Sequence, residues 1–391
     1  MNQKSFYIAT NEVHGLDELQ RGVVHYLNGD HLALEGPVGS GKNQYVYALA
    51  EILEREFIDI TCSDEMTESV LVGYPVLAAN GGTHTGYVNG IITNAMDYDN
   101  LSFLDEANQL SHDLQKRQNS ALDERRYLMR RDGKKVEGKE NFRIIIAYNP
   151  GTAPRNRHDL DESFSDRFKH IYVPYPVVDA VARICMIRSG IAEMDDIFVE
   201  GIEKRYVWVN DGRPYFAVSK NGDLLSLPGK TPTELPERYI EYYFYTDKIK
   251  QQGLSTDDPD KNMMFNLALS FSRFAERVRE VSTKSSSGVS PEVKRILENV
   301  GALAGIELNT PTPRTVSRAL AYADSLYKIG YDPKNIEQAA MECLTEDVLA
   351  GVYRHQLIGQ KTKYDVLKEL AKTTVIGDKQ AQEFAIDFER K

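Results

Sequence analysis

Cysteine is scarce in this chain. The three present, Cys62, Cys185 and Cys343, are odd in number and far apart among 391 residues. That excludes a disulfide scaffold and fits a reducing compartment, so a cytoplasmic protein is expected. No CxxC occurs, and the eight histidines form no HxH or HxxxH pair, so a structural zinc site is not expected. No apolar run approaches the roughly 18 residues of a membrane span. Residues 1–12 lack the basic-then-apolar plan of a signal peptide, so none is expected. Positive charge is in the minority, with 47 Lys and Arg against 58 Asp and Glu and a formal net charge of −11. That balance argues against nucleic acid or an anionic membrane as the general partner.

What is present is ordinary for a globular protein: 41% apolar and 27% charged residues, over a length that suits two or three domains. Leu16 to Leu27 has helical spacing and ends at Asn28-Gly29, a stop signal. Short apolar runs follow at His31–Glu35, Phe57–Thr61, Leu101–Leu104, Phe142–Ala147 and His170–Val173, with helical patterns between them. Strands alternating with helices predict a buried parallel five-stranded sheet of α/β type with helices on both faces. Tyr206 to Leu227, broken at Asn210-Asp211-Gly212 and Asn221-Gly222-Asp223, predicts a small antiparallel meander. Tyr239, Tyr242, Tyr243 and Tyr245 are expected on a helix, mostly as core of that inserted unit. Met264, Leu267, Phe271, Phe274 and Val278 form an amphipathic stripe, Ser282 to Ser287 reads as a loop, and Ser290-Pro291 and Asp332-Pro333 open helices. The expected division is an α/β core over 1–180, a connecting region with meander and Tyr-rich helix over 181–260, and helices over 261–391.

Gly36-Pro37-Val38-Gly39-Ser40-Gly41-Lys42 lies between the first strand and a helix, in the GxxxxGK frame of a phosphate-binding loop. Backbone N–H groups must converge on phosphate oxygens, which glycine permits, and the helix N-terminus and Lys42 add positive charge. The alternative is a Gly-rich turn with a chance lysine, against which the flanking strand and helix weigh. The expected binding segment is Gly36, Pro37, Val38, Gly39, Ser40, Gly41, Lys42, Asn43 and Gln44. Asn43 stands where the motif has Ser or Thr, the usual Mg²⁺ ligand; an amide oxygen can ligate a hard cation but reaches further.

Leu101-Ser102-Phe103-Leu104-Asp105-Glu106 is an apolar strand ending in two carboxylates. Neighbours on a strand point to opposite sides, so Asp105 is expected to hold Mg²⁺ through water and Glu106 to orient and polarise the attacking water. An acidic strand cap is the plainer alternative. Asn149, at the tip of Ile144–Tyr148, would reach the γ-phosphate or the water, or else is an ordinary Asn-Pro turn. Arg167 in Ser165-Asp166-Arg167-Phe168 would project to a neighbouring subunit's nucleotide, or else pair with Asp166 or Asp161 on the surface.

The order GPVGSGK, FLDEANQ, IIIAYNPGT and SDRF resembles AAA+ ATPases, where these segments are Walker A, Walker B, sensor 1 and the arginine finger. Leu71-Val72-Gly73-Tyr74-Pro75 through Thr85-Gly86-Tyr87-Val88-Asn89-Gly90, followed by Ile91 to Met96, narrows the resemblance to the MoxR group, especially the CbbQ/NorQ-type branch. That group carries a β-hairpin insert in its second helix at this place, whose tip is expected near Asn80 to Tyr87. Gln118 to Tyr127 and Asp132-Gly133 match the helix and hairpin before sensor 1, and Arg314 in Thr310-Pro311-Thr312-Pro313-Arg314 fits the sensor 2 arginine. The resemblance implies an ATP- and Mg²⁺-dependent ring, a hexamer, acting as a chaperone-like remodeller of a partner, often a protein with a von Willebrand factor A domain. It implies Asn43 and Asp105 at the metal, Glu106, Asn149, Arg167 and Arg314 as catalytic groups, and an all-α lid. Two rivals remain in view: a nucleotide-gated scaffold with weak hydrolysis, supported by Asn43, and a nucleic-acid motor. The motor reading draws on Arg125, Arg126, Arg130, Arg131, Lys134 and Lys135, whose plainer reading is a solvated face.

Overall fold

Five strands, Phe168–Tyr172, His31–Glu35, Arg143–Tyr148, Leu101–Asp105 and Phe57–Thr61, lie side by side in that spatial order, all parallel, in a computed structural model of the chain. The structure describes residues 7–79, 83–150, 160–199, 201–220, 223–227, 235–245, 253–283, 288–301, 305, 306, 308–350, 357, 358 and 361–374. Residues 80–82 of the expected insert tip at Asn80 to Tyr87, the expected turn residues Asn221-Gly222, Gly151-Thr152 and residues 284–287 fall outside the described residues.

The strands are apolar on both faces because both faces are covered. Leu32, Leu34, Ile145 and Ala147 enter one buried cluster with the helices Glu18–Leu27 and Lys42–Ile52. Ala33, Ile144 and Ile146 enter the opposite cluster with the helix Ile91–Tyr98. The period of two thus divides each strand between two cores. On the first face Gly22 allows close packing: a Cβ there would meet the Tyr45 hydroxyl at 1.8 Å, and Tyr45 is fully buried while donating to the Glu18 carbonyl at 3.0 Å.

The meander forms over Ile202–Asn210, Arg213–Lys220 and Asp223–Leu227. The Tyr-rich segment corrects an expectation: Ile240–Tyr245 is a strand, antiparallel to Ile202–Asn210 and parallel to Ile8–Ala9 at the edge. Helical spacing of the tyrosines misled; β-favouring side chains with a strand partner on each side decided the outcome. Tyr242, Tyr243 and Tyr245 are buried, as the expected core role requires, and Tyr239 is exposed. The inner face of this second sheet presents Val207, Phe216, Tyr242 and Phe244 to the first cluster. A buried polar clasp joins them. Asp17 caps the Glu18–Leu27 helix by accepting from the Gln20 N–H at 2.9 Å, and also accepts from Arg205 at 2.9 Å and the Tyr242 hydroxyl at 2.6 Å. Burial pushes the Asp17 carboxyl upward, and Arg205 and Tyr242 pull it back.

The chain divides into two units, Met1–Tyr175 with Ile202–Thr246, and Pro176–Gly201 with Asp247–Lys391. The second sheet therefore belongs with the α/β core, whereas 181–260 had been expected to form a region of its own. In the second unit Pro259–Thr283 is the long helix, its Phe271, Phe274 and Val278 fully buried, and it extends past Ser282. Ser290 caps Pro291–Val300 as expected, and Thr312 caps Pro313–Lys328. Among the described residues no helix is long and apolar enough to cross a membrane.

Candidate nucleotide site

The loop after the His31–Glu35 strand is shaped by its glycines. A Cβ on Gly36 would sit 2.2 Å from the Val173 carbonyl oxygen, and Gly39 and Gly41 have φ of +77° and +99°, which L side chains rarely adopt. Gly41 is the N-cap of Lys42–Ile52, so the helix starts at the lysine. Lys42 is only 7% exposed, and its ammonium donates to the carbonyls of Gly36 at 2.8 Å and Pro37 at 2.9 Å and to Asn149 Oδ1 at 2.7 Å. A buried ammonium requires such acceptors. They make Asn149 the direct neighbour of Lys42, 107 residues apart in sequence. The Ser40 hydroxyl is buried with no hydrogen-bond partner among the described residues, a donor at the loop that a phosphate oxygen would satisfy.

The Leu101–Asp105 strand delivers Asp105 beside the loop. Its Oδ2 accepts from Asn43 Nδ2 at 3.1 Å, and its Oδ1 from the Glu106 N–H at 2.9 Å. With Nδ2 given to Asp105, the amide oxygen of Asn43 is the atom able to meet a cation. The strand stops at Asp105. Glu106 has φ +54°, in the left-handed region, and leads into the short turn Ala107–Gln109, where Gln109 donates to its carboxylate. Glu106 therefore lies beyond the strand, where strand alternation, the expected reason for two separate roles, does not apply. A non-glycine residue in this region costs free energy and is worth noting at a site. Behind them, Cys62 gives its N–H to the Asp105 carbonyl at 2.8 Å; burial first, then the Asp105 and Glu106 carboxylates, push its thiol up to about 12, so it is an inert thiol.

The donor set fits a nucleotide-bound Mg²⁺. Among the described residues no group of three or more His, Cys, Asp or Glu could hold a metal alone. A magnesium ion bridging phosphates needs only one or two protein oxygens, which Asp105 and Asn43 offer.

The hydrogen bond and the ion pair of Arg167 are made with residues other than Lys42, Asn43, Asp105 and Asn149. Arg167 follows the short helix Glu162–Ser165 and gives its guanidinium to the Ser163 carbonyl, with Asp123 at 3.9 Å. Its carboxylate neighbour is Asp123, and not the Asp166 or Asp161 of the surface-pair alternative; Asp161 is paired with Lys116 at 3.2 Å. Arg314 is exposed on the first turn of Pro313–Lys328, in the second unit.

Two inserts flank the core. Gly73–Ala79 and Thr83–Asn89 pair as an antiparallel hairpin, and Tyr127–Met129 pairs with Lys135–Glu137. The Arg130 guanidinium lies 3.5 Å from the centre of the Tyr87 ring, and Glu68 pairs with Arg117 at 2.6 Å and Arg131 at 3.2 Å. Arg125 pairs with Asp123, Arg130 with Asp132 and Lys135 with Glu137, each at 2.6 Å. The basic run is largely neutralised by nearby acids, which removes the main support for a nucleic-acid motor.

Sequence reasoning missed three neighbours of the site. Tyr148 donates to Glu35 at 3.1 Å and meets His170 at 3.2 Å; burial first, then the Glu35 carboxylate, holds its hydroxyl above the usual range. His170 in turn meets the Ser165 hydroxyl at 3.2 Å. Tyr175 donates to the Val38 carbonyl at 2.6 Å. The Pro174-Tyr175-Pro176 run was the signal available for the last.

Residues 31–168 match the family of AAA domains of the dynein-related subfamily. Over 176 residues, 45% of this chain and 64% of the relative, the chain is 31% identical to Protein CbbQ of Hydrogenophilus thermoluteolus. It is 30% identical to the denitrification regulatory protein NirQ of Pseudomonas aeruginosa over 189 residues, 48% of this chain and 69% of that one. It is 28% identical to the uncharacterized protein YojN of Bacillus subtilis over 192 residues, 47% of this chain and 62% of that one. The chain thus spans about two thirds of the length of these relatives, and they cover about half of it. With the parallel sheet, the phosphate loop and the acidic strand end in the expected order, the chain belongs to the MoxR-type AAA+ ATPases, the group that includes CbbQ and NirQ.

Proposed function

We propose that this chain hydrolyses ATP with Mg²⁺ and uses the cycle to remodel or activate a partner protein. The observation that carries the reading is the convergence of Lys42 and Asn43, Asp105, and Asn149, from three places in the sequence, on one end of the sheet. Lys42 and the backbone N–H groups between Val38 and Gln44 would hold the phosphates, Asp105 and Asn43 would hold the cation, which would neutralise phosphate charge, and Glu106 would take the proton of the attacking water. Asn149 and Arg314 respond to the γ-phosphate. Arg167 serves the site of an adjacent subunit, which favours a ring, a hexamer by family habit. Hydrolysis then moves the hairpin Gly73–Asn89 against its partner, a von Willebrand factor A domain protein or another client.

The trans assignment is tested by mixing. Arg167→Ala and Glu106→Gln each lack one group, and mixed rings contain interfaces with both intact. Each variant alone is slow, and the mixture regains turnover. Well-mixed oligomers without regain would place Arg167 in its own subunit's structure, in keeping with its Ser163 and Asp123 contacts.

A further inference from the structure

The segment Val173-Pro174-Tyr175-Pro176 touches the phosphate loop at two points and the strand end before it at a third. The Val173 N–H donates to the Glu35 carbonyl at 2.8 Å, immediately before the loop. The Val173 carbonyl packs against Gly36 so closely that a Cβ there would lie at 2.2 Å. The Tyr175 hydroxyl, on a half-buried side chain, donates to the Val38 carbonyl at 2.6 Å. Two prolines flank Tyr175, each with its φ fixed and each biasing the residue before it toward extended backbone, so the segment is stiff.

A planar trans peptide sets its N–H opposite its carbonyl. Fixing the Val38 carbonyl on Tyr175 therefore aims the Gly39 N–H the other way. Gly39, at φ +77°, resists little on its own account, since glycine populates many conformations. A loop of three glycines in seven residues needs an external brace if its N–H groups are to wait for an anion in one arrangement. The chain then leaves the first unit at Tyr175 and enters the second at Pro176, followed at once by the helix Val178–Arg188.

We propose that Tyr175 is a positioning residue for nucleotide binding: its hydroxyl holds the phosphate loop in its anion-receiving form, and the proline-braced segment carries the loop's state to the start of the second unit. The inference rests on the reading of Gly36–Lys42 as a nucleotide site.

Tyr175→Phe removes only the hydroxyl, and Tyr172→Phe, an exposed tyrosine at the end of the preceding strand, is the matched control. Titration of the full chain with a fluorescent ATP analogue and Mg²⁺ is expected to show affinity about three- to tenfold weaker for Tyr175→Phe, the size of one hydrogen bond, and unchanged for Tyr172→Phe. Amide exchange over Val178–Arg188 is compared with and without saturating nucleotide. The parent changes on nucleotide addition, and Tyr175→Phe changes less. Equal affinity of the parent and Tyr175→Phe overturns the proposal, as does a lowered melting temperature without nucleotide alongside unchanged affinity, which marks a structural contact. Weaker affinity with a full exchange response overturns the transmission half. A parent that binds no nucleotide defeats the reading of the loop itself and is recognised from the parent alone.

Discussion

The first unit contains two five-stranded sheets that are held in opposite ways. The parallel sheet is apolar on both faces and places polar groups at the strand ends, where Lys42 meets Asn149 and Asn43 meets Asp105. The second sheet is mostly antiparallel, and it is joined to the core by a buried ionic clasp, Arg205 between Asp17, Glu12 and Glu203. Polar groups at the ends of the first sheet are available for chemistry; those inside the second are consumed by attachment. Changes at the clasp should therefore cost stability and leave nucleotide chemistry alone, and changes at the strand ends should do the reverse.

The largest stability effect is expected at Arg205. Arg205→Met leaves Asp17, fully buried, without its cation. Breaking such a pair costs about 3–5 kcal/mol. Chemical denaturation measures this, and nucleotide affinity of the folded fraction stays at the parent value. A loss of affinity without loss of stability would undo the division between the two sheets.

His31 offers a test within the first sheet. Its Nδ1 accepts the Ile144 N–H at 2.8 Å, so the ring is neutral; burial first, then the Arg143 and Arg126 charges, lower its pKa to about 3. A depressed base contributes stability above its ordinary pKa near 6.5, lost as pH falls toward 3. The limiting slope is about 1.4 kcal/mol per pH unit. His31→Asn keeps an acceptor without the titration. Denaturation at several pH values should show the parent losing stability faster than the variant below pH 6.5, and parallel curves would refute the assignment.

Gly22→Ala places a methyl against the buried Tyr45 ring, at an expected cost of about 1–3 kcal/mol by overpacking. Thermal melts report it, and an unchanged melt would mean the two helices separate at little cost. The smallest effect is expected at Asn43. Asn43→Thr brings a hydroxyl closer to the cation position, so Mg²⁺ titration at fixed ATP should show tighter half-saturation and modestly faster turnover. Identical curves would leave Asn43 an adequate ligand as it stands.

Much of the first sheet was legible because its signals are local. His31–Glu35 and Phe57–Thr61 have the expected bounds, and the other three strands begin or end within two residues of expectation. Lys42, Asp105 and Asn149 were legible because a loop, an acidic strand end and a polar strand tip recur in fixed order. The second sheet was half legible. Asp-Gly and Asn-Gly turns marked the meander, but nothing local pairs Ile8–Ala9 with Tyr243 and Phe244, more than 230 residues away. The left-handed turn at Glu106 and the Asp123 partner of Arg167 were hidden for the same reason: each depends on where the chain returns, and not on its own neighbours.

Glu106→Gln tests the central claim most directly. On the proposed mechanism it removes the carboxylate that takes the proton of the attacking water and leaves the phosphate loop itself unchanged. With ATP and Mg²⁺, the variant is predicted to bind nucleotide as the parent does and to release phosphate about 10²- to 10⁴-fold more slowly. Phosphate release near the parent rate, with binding intact, would contradict the assignment of Glu106 as the base and with it this account of the site.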